Sequence, residues 1–329
     1  MRYRLATEAD FPVLLELLRH NPRHAFTPEV GERLTEVWSA WLAQDRHRPK
    51  PLVIWEDSQP DGHSLAQALG AGMFVPDAVY DDLRDTPADH PWPYLADRLL
   101  RRHLAGEPVI LDTAAIARGN GGAGLNLVVT HYLQRQHDLT HPDCLRMLPL
   151  APMAWYFCFA GNNLRRILGE VYGESAAAYV QAGGFRVLRR FPAAPGLPAE
   201  SDPHLCELER SALPPAAFNA MSLWVIHPPA PQLGLAPSQQ AVAQLALVGE
   251  TDQRIAARLQ ISPDAVKQAW RGIVMAAASV IPELRDLGDS SVSHRVRGTE
   301  RRRVVVEYLR QHLEELRPWP RVRRAGGPG

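Results

Sequence analysis

A proline-rich stretch from Phe191 to Pro237 divides the chain into two parts that differ in pattern. Proline donates no backbone hydrogen bond to a sheet and breaks helix interiors, so such a stretch is typical of a linker or an extended packing segment. The residues before it alternate between strand-like and helix-like segments, whereas residues 238–324 are almost wholly helical in pattern. We therefore expect an α/β domain at 1–191, a linker at 192–234 and an all-α domain at 235–329, with one short helix near "HLCELERSAL" in the linker.

Composition restricts what the two parts can do. A chain of 329 residues is long enough for two domains, and its 36 basic and 36 acidic side chains leave no overall field to attract nucleic acid. Any contact with DNA must therefore come from a local basic cluster. The three cysteines are not at CxxC spacing, and the N-terminus lacks an apolar signal segment, so we expect a protein of the reducing cytoplasm. The apolar runs are too short to span a bilayer.

The first part begins with "RYRLAT", which alternates like a strand, followed by "EADFPVLLELLRH", which has helical periodicity. "PLVIWED" and "AGMFVP" predict strands, and "DRLLRRHLAG" predicts a helix that ends at Gly106. "PVILDTAAI" predicts a buried strand, and "LNLVVTHYLQRQHD" predicts an amphipathic helix. The segment "AAAYVQAGGFRVLRRF" predicts a short helix, a glycine turn and a last strand.

Three short helices follow the proline-rich stretch. The first is expected over 238–248 with Gly249 as its stop, and the second over 252–259 with Thr251 or Asp252 as its cap. The third begins at Ser262, with Pro263 at the first helical position, and turns one face inward: Val266, Trp270 and Ile273. A three-residue turn between the second and third helices is typical of a helix-turn-helix.

The stretch "LAPSQQAVAQLALVGETDQRIAARLQISPDAVKQAWRGI" resembles the LuxR-type helix-turn-helix domain over about forty residues without a gap. The resemblance implies DNA binding as a homodimer, with 263–274 as the recognition helix and three exposed contacts: Lys267, Gln268 and Arg271. The sequence departs from the family at Ser238 and Gln239, where a charged pair is usual, and at Ala265, where a threonine is usual. The alternative is a three-helix cluster used for packing or dimerisation.

A basic helix, "RRRVVVEYLRQHLEEL", lies beyond this stretch and adds three adjacent candidates for phosphate contact: Arg301, Arg302 and Arg303. The surrounding segment contains further arginines up to Arg324. This region either forms an arm that contacts phosphates or is a solvated helix that packs its valines, Tyr308 and leucines on its neighbours, and both can hold at once.

The glycine-rich run "IARGNGGAGLNL" is the candidate ligand site of the first part. Glycine-rich loops between a strand and a helix gather backbone N–H groups that bind anions. The run lacks the GxGxxG fingerprint of dinucleotide-binding proteins and the Lys-Ser/Thr of a P-loop. Its pattern is R-x-x-G-x-A, formed by Arg118, Gly119, Asn120, Gly121, Gly122 and Ala123.

This run resembles the pyrophosphate loop of GNAT-type N-acetyltransferases, which bind acetyl-CoA through backbone amides after their fourth strand. The opening strand and helix, and the ending Ala178-Tyr179 through Gly184-Phe185 with a last strand, occur in the family's order. The resemblance implies a GNAT-like mixed sheet with flanking helices, acetyl-CoA or another acyl-CoA as ligand, and Tyr179 as candidate general acid. Tyr179 as a core residue, and a loop that binds another anion or none, are the alternatives. No glutamate lies on the strand expected before the loop.

The histidines are scattered without metal-ligand spacing, so no metal is expected. Taken together, the sequence predicts a DNA-binding transcriptional regulator with a GNAT-like sensor or scaffold domain. The alternative is an N-acetyltransferase whose helical part binds substrate or partner, with catalysis retained or lost. A third interpretation is a protein in which both parts serve only assembly.

Overall fold

The computed structural model describes residues 2–19, 28–44, 49–58, 64–87, 89–90, 94–136, 138, 140–193, 201–213, 221–286 and 294–320. Within these described residues, seven strands form one sheet: β1 (Arg2–Leu5), β2 (Leu52–Ser58), β3 (Ser64–Val75), β4 (Leu125–Gln134), β5 (Leu164–Tyr172), β6 (Arg186–Arg190) and β7 (Pro203–Glu209). Their order across the sheet is β1-β2-β3-β4-β5-β7-β6. The pair β4–β5 is parallel and every other neighbouring pair is antiparallel.

The helices described in the first part of the chain are α1 (Phe11–Arg19), α2 (Pro28–Ala43), α3 (Asp77–Arg84), α4 (Leu95–Leu104), α5 (Thr113–Asn120), α6 (Pro142–Phe159) and α7 (Gly173–Ala182). Those described after the sheet are α8 (Pro237–Leu247), α9 (Asp252–Leu259), α10 (Pro263–Ala277), α11 (Glu283–Asp286) and α12 (His294–Gln311). A 3-10 turn at Leu313–Leu316 follows α12. The opening strand and helix, the helix before Gly106 and the closing helix-turn-strand are confirmed.

The sheet buries both of its faces, as the alternation along β2 shows. Leu52 and Ile54 point into the core formed with α1 to α4, which we call the α4 face. Val53 and Trp55 point into the core formed with α6, α8 to α10 and α12, which we call the α6 face. Because side chains alternate across a strand, one continuous apolar run supplies both cores.

Small residues in β3 let large aromatic side chains approach the α6 face. A Cβ added at Gly70 would lie 3.0 Å from the rings of both Trp55 and Trp155, so a larger residue would force them apart. Trp155 stacks on Phe159 at 5.0 Å between ring centroids, and both rings lie close to Gly72 of β3, so the carboxyl end of α6 packs on this face of the sheet.

The helices α8, α9 and α10 lie where the sequence predicts them. The side chain of Thr251 accepts a hydrogen bond from the Arg254 N–H, and that of Ser262 accepts one from the Ala265 N–H at 3.1 Å. Gln260 ends α9 in the left-handed region, with φ of +54°, which turns the chain into α10. The predicted inward face of α10 is buried. The positions of the helices and their caps are confirmed, while a helix-turn-helix function stays a prediction.

The predicted boundary between domains is wrong in one respect. Residues 203–209, expected in a linker or a short helix, form β7, which pairs with β5 on one side and β6 on the other. Apolar side chains of this strand supply both cores, so the sheet is incomplete without it. The C-terminal helices also share the α6-face core with the sheet rather than forming a separate core.

Two predicted elements are exchanged around the glycine run. "TAAI", the end of the predicted strand, and "ARGN", from the glycine run, together form the helix α5, which begins where the Asp112 carboxylate caps the Ala115 N–H. "LNLVVTHYLQ", the predicted helix, is β4. Leu125 and Leu127 point to the α6 face and Val128 to the α4 face, and β3 and β5 both pair with the strand. Pairing on both sides outweighed a local pattern that fits a helix equally well.

Candidate functional site

The glycine run lies at the carboxyl end of a helix and before the fourth strand. Arg118 is in the last turn of α5, and Gly121 to Gly124 lead into β4. A helix presents free carbonyl groups and the negative end of its dipole at this end, which disfavours an anion. The secondary-structure context expected for a pyrophosphate loop is therefore wrong, and ligand binding by Arg118, Gly119, Asn120, Gly121, Gly122 and Ala123 stays a prediction.

Instead, the run holds the end of the described chain, residues 312–320, which we call the C-terminal strap. The buried Asn120 amide donates to the Pro318 carbonyl at 2.7 Å and to Asn162 Oδ1 at 3.1 Å. Its oxygen accepts from the Asn163 N–H at 2.8 Å. A Cβ at Gly121 would overlap Pro320. The absence of a side chain at Gly121 thus allows close packing of the chain on itself.

The C-terminal strap also joins α6 to the helical part. Arg317 is buried and donates to the carbonyls of Phe157 and Ala160, at the carboxyl end of α6, at 2.5 and 2.8 Å. Glu315 accepts from the N–H groups of Gln232 and Leu233, and Gln240 of α8 donates to the strap's carbonyls. A cation at the carboxyl end of a helix is favoured by the helix dipole.

At its carboxyl end, which we call the open end, β4 pairs with β3 but no longer with β5. Parallel pairing between β4 and β5 runs from Leu125–Leu164 to Val128–Leu168 and stops there. Both strands continue, β4 through 129–134 and β5 through 169–172, and each keeps its other neighbour. The facing backbone edges of these described strands therefore have no ladder partner across the β4–β5 gap. Strand edges of this kind bind extended chains through N–H and C=O groups.

On the α6 face, polar side chains surround the β4–β5 gap. The Tyr132 hydroxyl of β4 donates to Gln134 Oε1 at 3.2 Å, and Gln134 Nε2 lies 3.5 Å from the Cys144 sulfur in the first turn of α6. Burial, with smaller contributions from Cys144 and Tyr179, raises the pKa of Tyr132. Tyr179 of α7 is therefore near Tyr132 and the gap.

Tyr179, the predicted general acid, is 43% exposed, so it is not a core tyrosine. Burial raises its pKa, which keeps the hydroxyl protonated at neutral pH. The structure places it on α7, the helix that directly follows β5. Its catalytic role is not tested by this placement and stays a prediction.

On the α4 face, Glu170 of β5 lies beside the point where the strands part. Its carboxylate accepts from the Leu95 N–H, at the first residue of α4, at 2.9 Å and from the Tyr172 hydroxyl at 2.5 Å. Burial raises the pKa of Glu170 from 4.5 to about 7, although both hydrogen bonds favour the carboxylate. A carboxyl group with a pKa near neutrality accepts and releases protons under physiological conditions.

Glu170 was not predicted, because a catalytic glutamate was expected on the strand before the glycine run. A usable signal exists in "LRRILGEVY", where Glu170 is the only acidic residue and stands between apolar positions and glycine. A carboxylate at such a position costs free energy unless it is hydrogen-bonded or functional.

A cavity of about 250 Å³ lies near the amino end of β5, away from the gap, and is lined by Asp77, Asp81, Arg165, Arg166 and Glu209. Arg165 pairs with Asp77, and Arg166 pairs with Asp81 at 2.6 Å. Each guanidinium already has a carboxylate partner, and Glu209 pairs with Arg186, so these groups join α3 and the neighbouring strands and leave no free cation in the described lining.

The predicted DNA contacts are divided between two helices. Lys267, Gln268 and Arg271 lie together on the exposed face of α10, where Lys267 pairs with Asp264 at 2.9 Å. On α12, Arg302 binds both oxygens of Asp252 and lies 4.2 Å above the Trp270 ring, so it stabilises the packing of α9, α10 and α12. Arg303 pairs with Glu300, and Arg301 is partly buried. Arg321, Arg323 and Arg324 lie outside the described residues.

Within the described ranges, no group of three or more histidine, cysteine, aspartate or glutamate side chains is arranged to hold a metal ion. Among the helices of those ranges, none combines the length and apolarity needed to cross a bilayer. The three cysteines are buried, and none of them forms a disulfide bond.

No protein-family model matches the sequence, and no curated protein matches it. The solved structures with detectable similarity include the following two. Naa20 of Chaetomium thermophilum, in complex with a bisubstrate analogue, is 12% identical with a TM-score of 0.36, over 64% of this chain and 88% of that one. A proposed phosphinothricin N-acetyltransferase is 14% identical with a TM-score of 0.30, over 63% of this chain and 96% of that one. Both scores are below 0.5, so the description of the fold rests on this chain's own strand order.

Proposed function

We propose that this protein is an N-acyltransferase of the GNAT type that binds the arm of an acyl thioester, such as acetyl-CoA, in the β4–β5 gap. The observation that carries the proposal is the parallel pair that parts after Val128 and Leu168. The pantetheine arm of CoA is extended and contains two amide groups, which suit unpaired strand edges. The glycine run has no part in this site.

Two titratable groups flank the gap from opposite faces. Glu170, with a pKa of about 7, would accept the proton of the attacking amine. Tyr179, held protonated by its raised pKa, would donate a proton to the leaving thiolate. A C–N bond forms as the C–S bond breaks, one proton leaves the amine and one reaches the thiolate, so the transfer is balanced.

Thiol release from acetyl-CoA, measured in the presence of a peptide amine, a polyamine or an amino sugar, tests the proposal. We expect release that depends on the amine with at least one of these acceptors. Release that no amine accelerates, at millimolar acceptor, would remove the transferase function.

We propose DNA binding through α10 as a second function. The support is the cap geometry at Ser262 and the placement of Lys267, Gln268 and Arg271 on one exposed face. The LuxR resemblance adds a homodimer as the binding form. Fluorescence anisotropy on duplex DNA should show affinity that falls steeply with salt, and Lys267→Ala with Arg271→Ala should weaken it. Arg310→Ala, an exposed arginine of α12 paired with Glu307, is the matched control. Equal binding by both variants would exclude α10 as the interface.

A further inference from the structure

A ligand in the β4–β5 gap extends toward the ends of the strands where α6 and α7 begin. The α6 helix starts at Pro142, shortly after the end of β4, and α7 starts at Gly173, directly after the end of β5. A diphosphate carried by the ligand would need N–H donors and cations at this open end, because phosphate oxygens bind at helix N-termini and to guanidinium groups. The groups already present there determine which ligands fit.

At the start of α6, the protein itself already uses one N–H group and compensates the helix dipole. His141 Nδ1 accepts the Asp143 N–H at 3.2 Å, and Pro142 has no N–H to offer. Asp143 places a carboxylate in the first turn. A negative side chain there satisfies the helix dipole and repels a second anion.

The turn between β4 and α6 adds another carboxylate. Asp138 accepts the Thr140 N–H at 2.8 Å and the Thr140 hydroxyl at 2.7 Å. These hydrogen bonds hold the pKa of Asp138 below its usual range, so it is charged at neutral pH. The sequence from 135 to 141 contains no glycine, the residue that most readily lets a loop turn successive N–H groups toward a phosphate.

The start of α7 also carries a first-turn carboxylate, although no side chain caps its N–H groups. Glu174 lies in the first turn and pairs with Arg190 at 3.2 Å. The arginines nearest the start of α6 are engaged as well, because Arg146 pairs with Asp143 and Asp57, and Arg135 pairs with Glu16. Both helix N-termini at the open end are thus compensated by the protein's own carboxylates.

We infer that the acyl donor is recognised through its uncharged pantetheine arm and not through a diphosphate. This inference rests on the proposed function, and it names the donor class as acyl-pantetheine thioesters whether or not a nucleotide is attached. The nucleotide of acetyl-CoA then contributes little to binding.

Calorimetric titration of the full chain with acetyl-CoA, acetyl-pantetheine and 3′,5′-ADP tests the inference. We expect the two thioesters to bind with dissociation constants within fivefold of each other, with no competition from 3′,5′-ADP. Acetyl-CoA binding more than fivefold tighter, or displaced by 3′,5′-ADP, would overturn the inference while leaving the transferase proposal intact. If neither thioester binds, the proposed function itself fails.

A gain of affinity provides the second test. The double variant Asp143→Asn, Glu174→Gln removes two carboxylates from the open end and releases Arg190 from Glu174, while Arg146 keeps Asp57. Acetyl-CoA should therefore bind about three- to tenfold tighter, while acetyl-pantetheine binding is unchanged. Asp264→Asn is the matched control, because Asp264 is also a first-turn aspartate paired three residues on, on α10. An unchanged affinity of the double variant for acetyl-CoA would contradict the inference.

Discussion

The amino and carboxyl ends of β4 differ in what lies against their backbone groups. At the amino end, the glycine run brings backbone groups together, and the C-terminal strap fills the space through Asn120 and Pro320. At the carboxyl end, the strand parts from β5 and leaves backbone edges without ladder partners. The first end recognises the protein's own chain, and the second is the one that we propose recognises a ligand.

This difference shows that glycine content alone does not identify a phosphate site. A phosphate site needs N–H groups at the positive end of a helix, and the glycine run lies at the negative end of α5. An extended, uncharged ligand needs a free strand edge instead, which requires no glycine-rich loop. Variants at each end should therefore have different effects, and we take them from the largest expected effect to the smallest.

Glu170→Gln is expected to slow acyl transfer about 100- to 1,000-fold, because the amide cannot accept the proton of the amine. Thiol release from acetyl-CoA at saturating amine measures the effect. The wild-type rate should fall as the pH drops below about 7, the pKa of Glu170, and this dependence should vanish in the variant. Glu36→Gln, an exposed change on α2 away from the gap, is the matched control. A variant that keeps the wild-type rate and pH profile would show that Glu170 is not the base.

Asn120→Ala tests the amino end of β4, where the C-terminal strap packs. The change leaves the Pro318 carbonyl and the Asn163 N–H without their partner in a buried site, so we expect a loss of about 2–4 kcal/mol in the free energy of unfolding. Urea unfolding measures it, with the exposed Gln268→Ala as the control. Acetyl-pantetheine affinity should be unchanged in the folded variant. A specific loss of that affinity would show that the glycine run takes part in ligand binding.

Gly121→Ala probes the contact with the C-terminal strap. The added methyl group overlaps Pro320, and relieving the overlap should cost about 1–3 kcal/mol. Gly169→Ala is the matched glycine control, since its Cβ would meet Val129 at an ordinary 3.6 Å. Equal midpoints of urea unfolding for the two variants would show that close packing of Pro320 on Gly121 does not contribute to stability.

The pH dependence of stability gives the smallest effect. The pKa of Glu170 is raised from 4.5 to about 7, so the folded protein keeps a proton that the unfolded chain has lost. The contribution of this group to stability therefore falls as the pH rises from about 4.5 to 7. Glutamine does not titrate, so the melting temperature of Glu170→Gln relative to wild type should rise by about 1–3 °C between pH 5 and pH 8. A constant difference would place the pKa of Glu170 near its ordinary value.

The sequence predicted the C-terminal helices well because their signals are local. Ser262, Pro263 and Thr251 act within one turn of their own positions, so no distant contact is needed to interpret them. The strand β7 has a proline at its first residue and prolines nearby, which concealed its place between two partner strands.

The site was harder to predict because it depends on register between distant segments. The parting of β4 and β5 is a property of two strands about forty residues apart, and no local pattern encodes where their pairing stops. The family resemblance predicts Tyr179, whereas Glu170 becomes a candidate only once the strand order and its contact with α4 are known. The glycine run was misassigned because its true partner, the C-terminal strap, lies almost two hundred residues away.

Hydrogen exchange of the full chain with and without acetyl-pantetheine tests the difference between the two ends of β4 most directly. The account predicts slower exchange of amides in 129–134 and 169–172 when the ligand is present, with no change in 118–124. Protection confined to 118–124, with the gap unaffected, would contradict it.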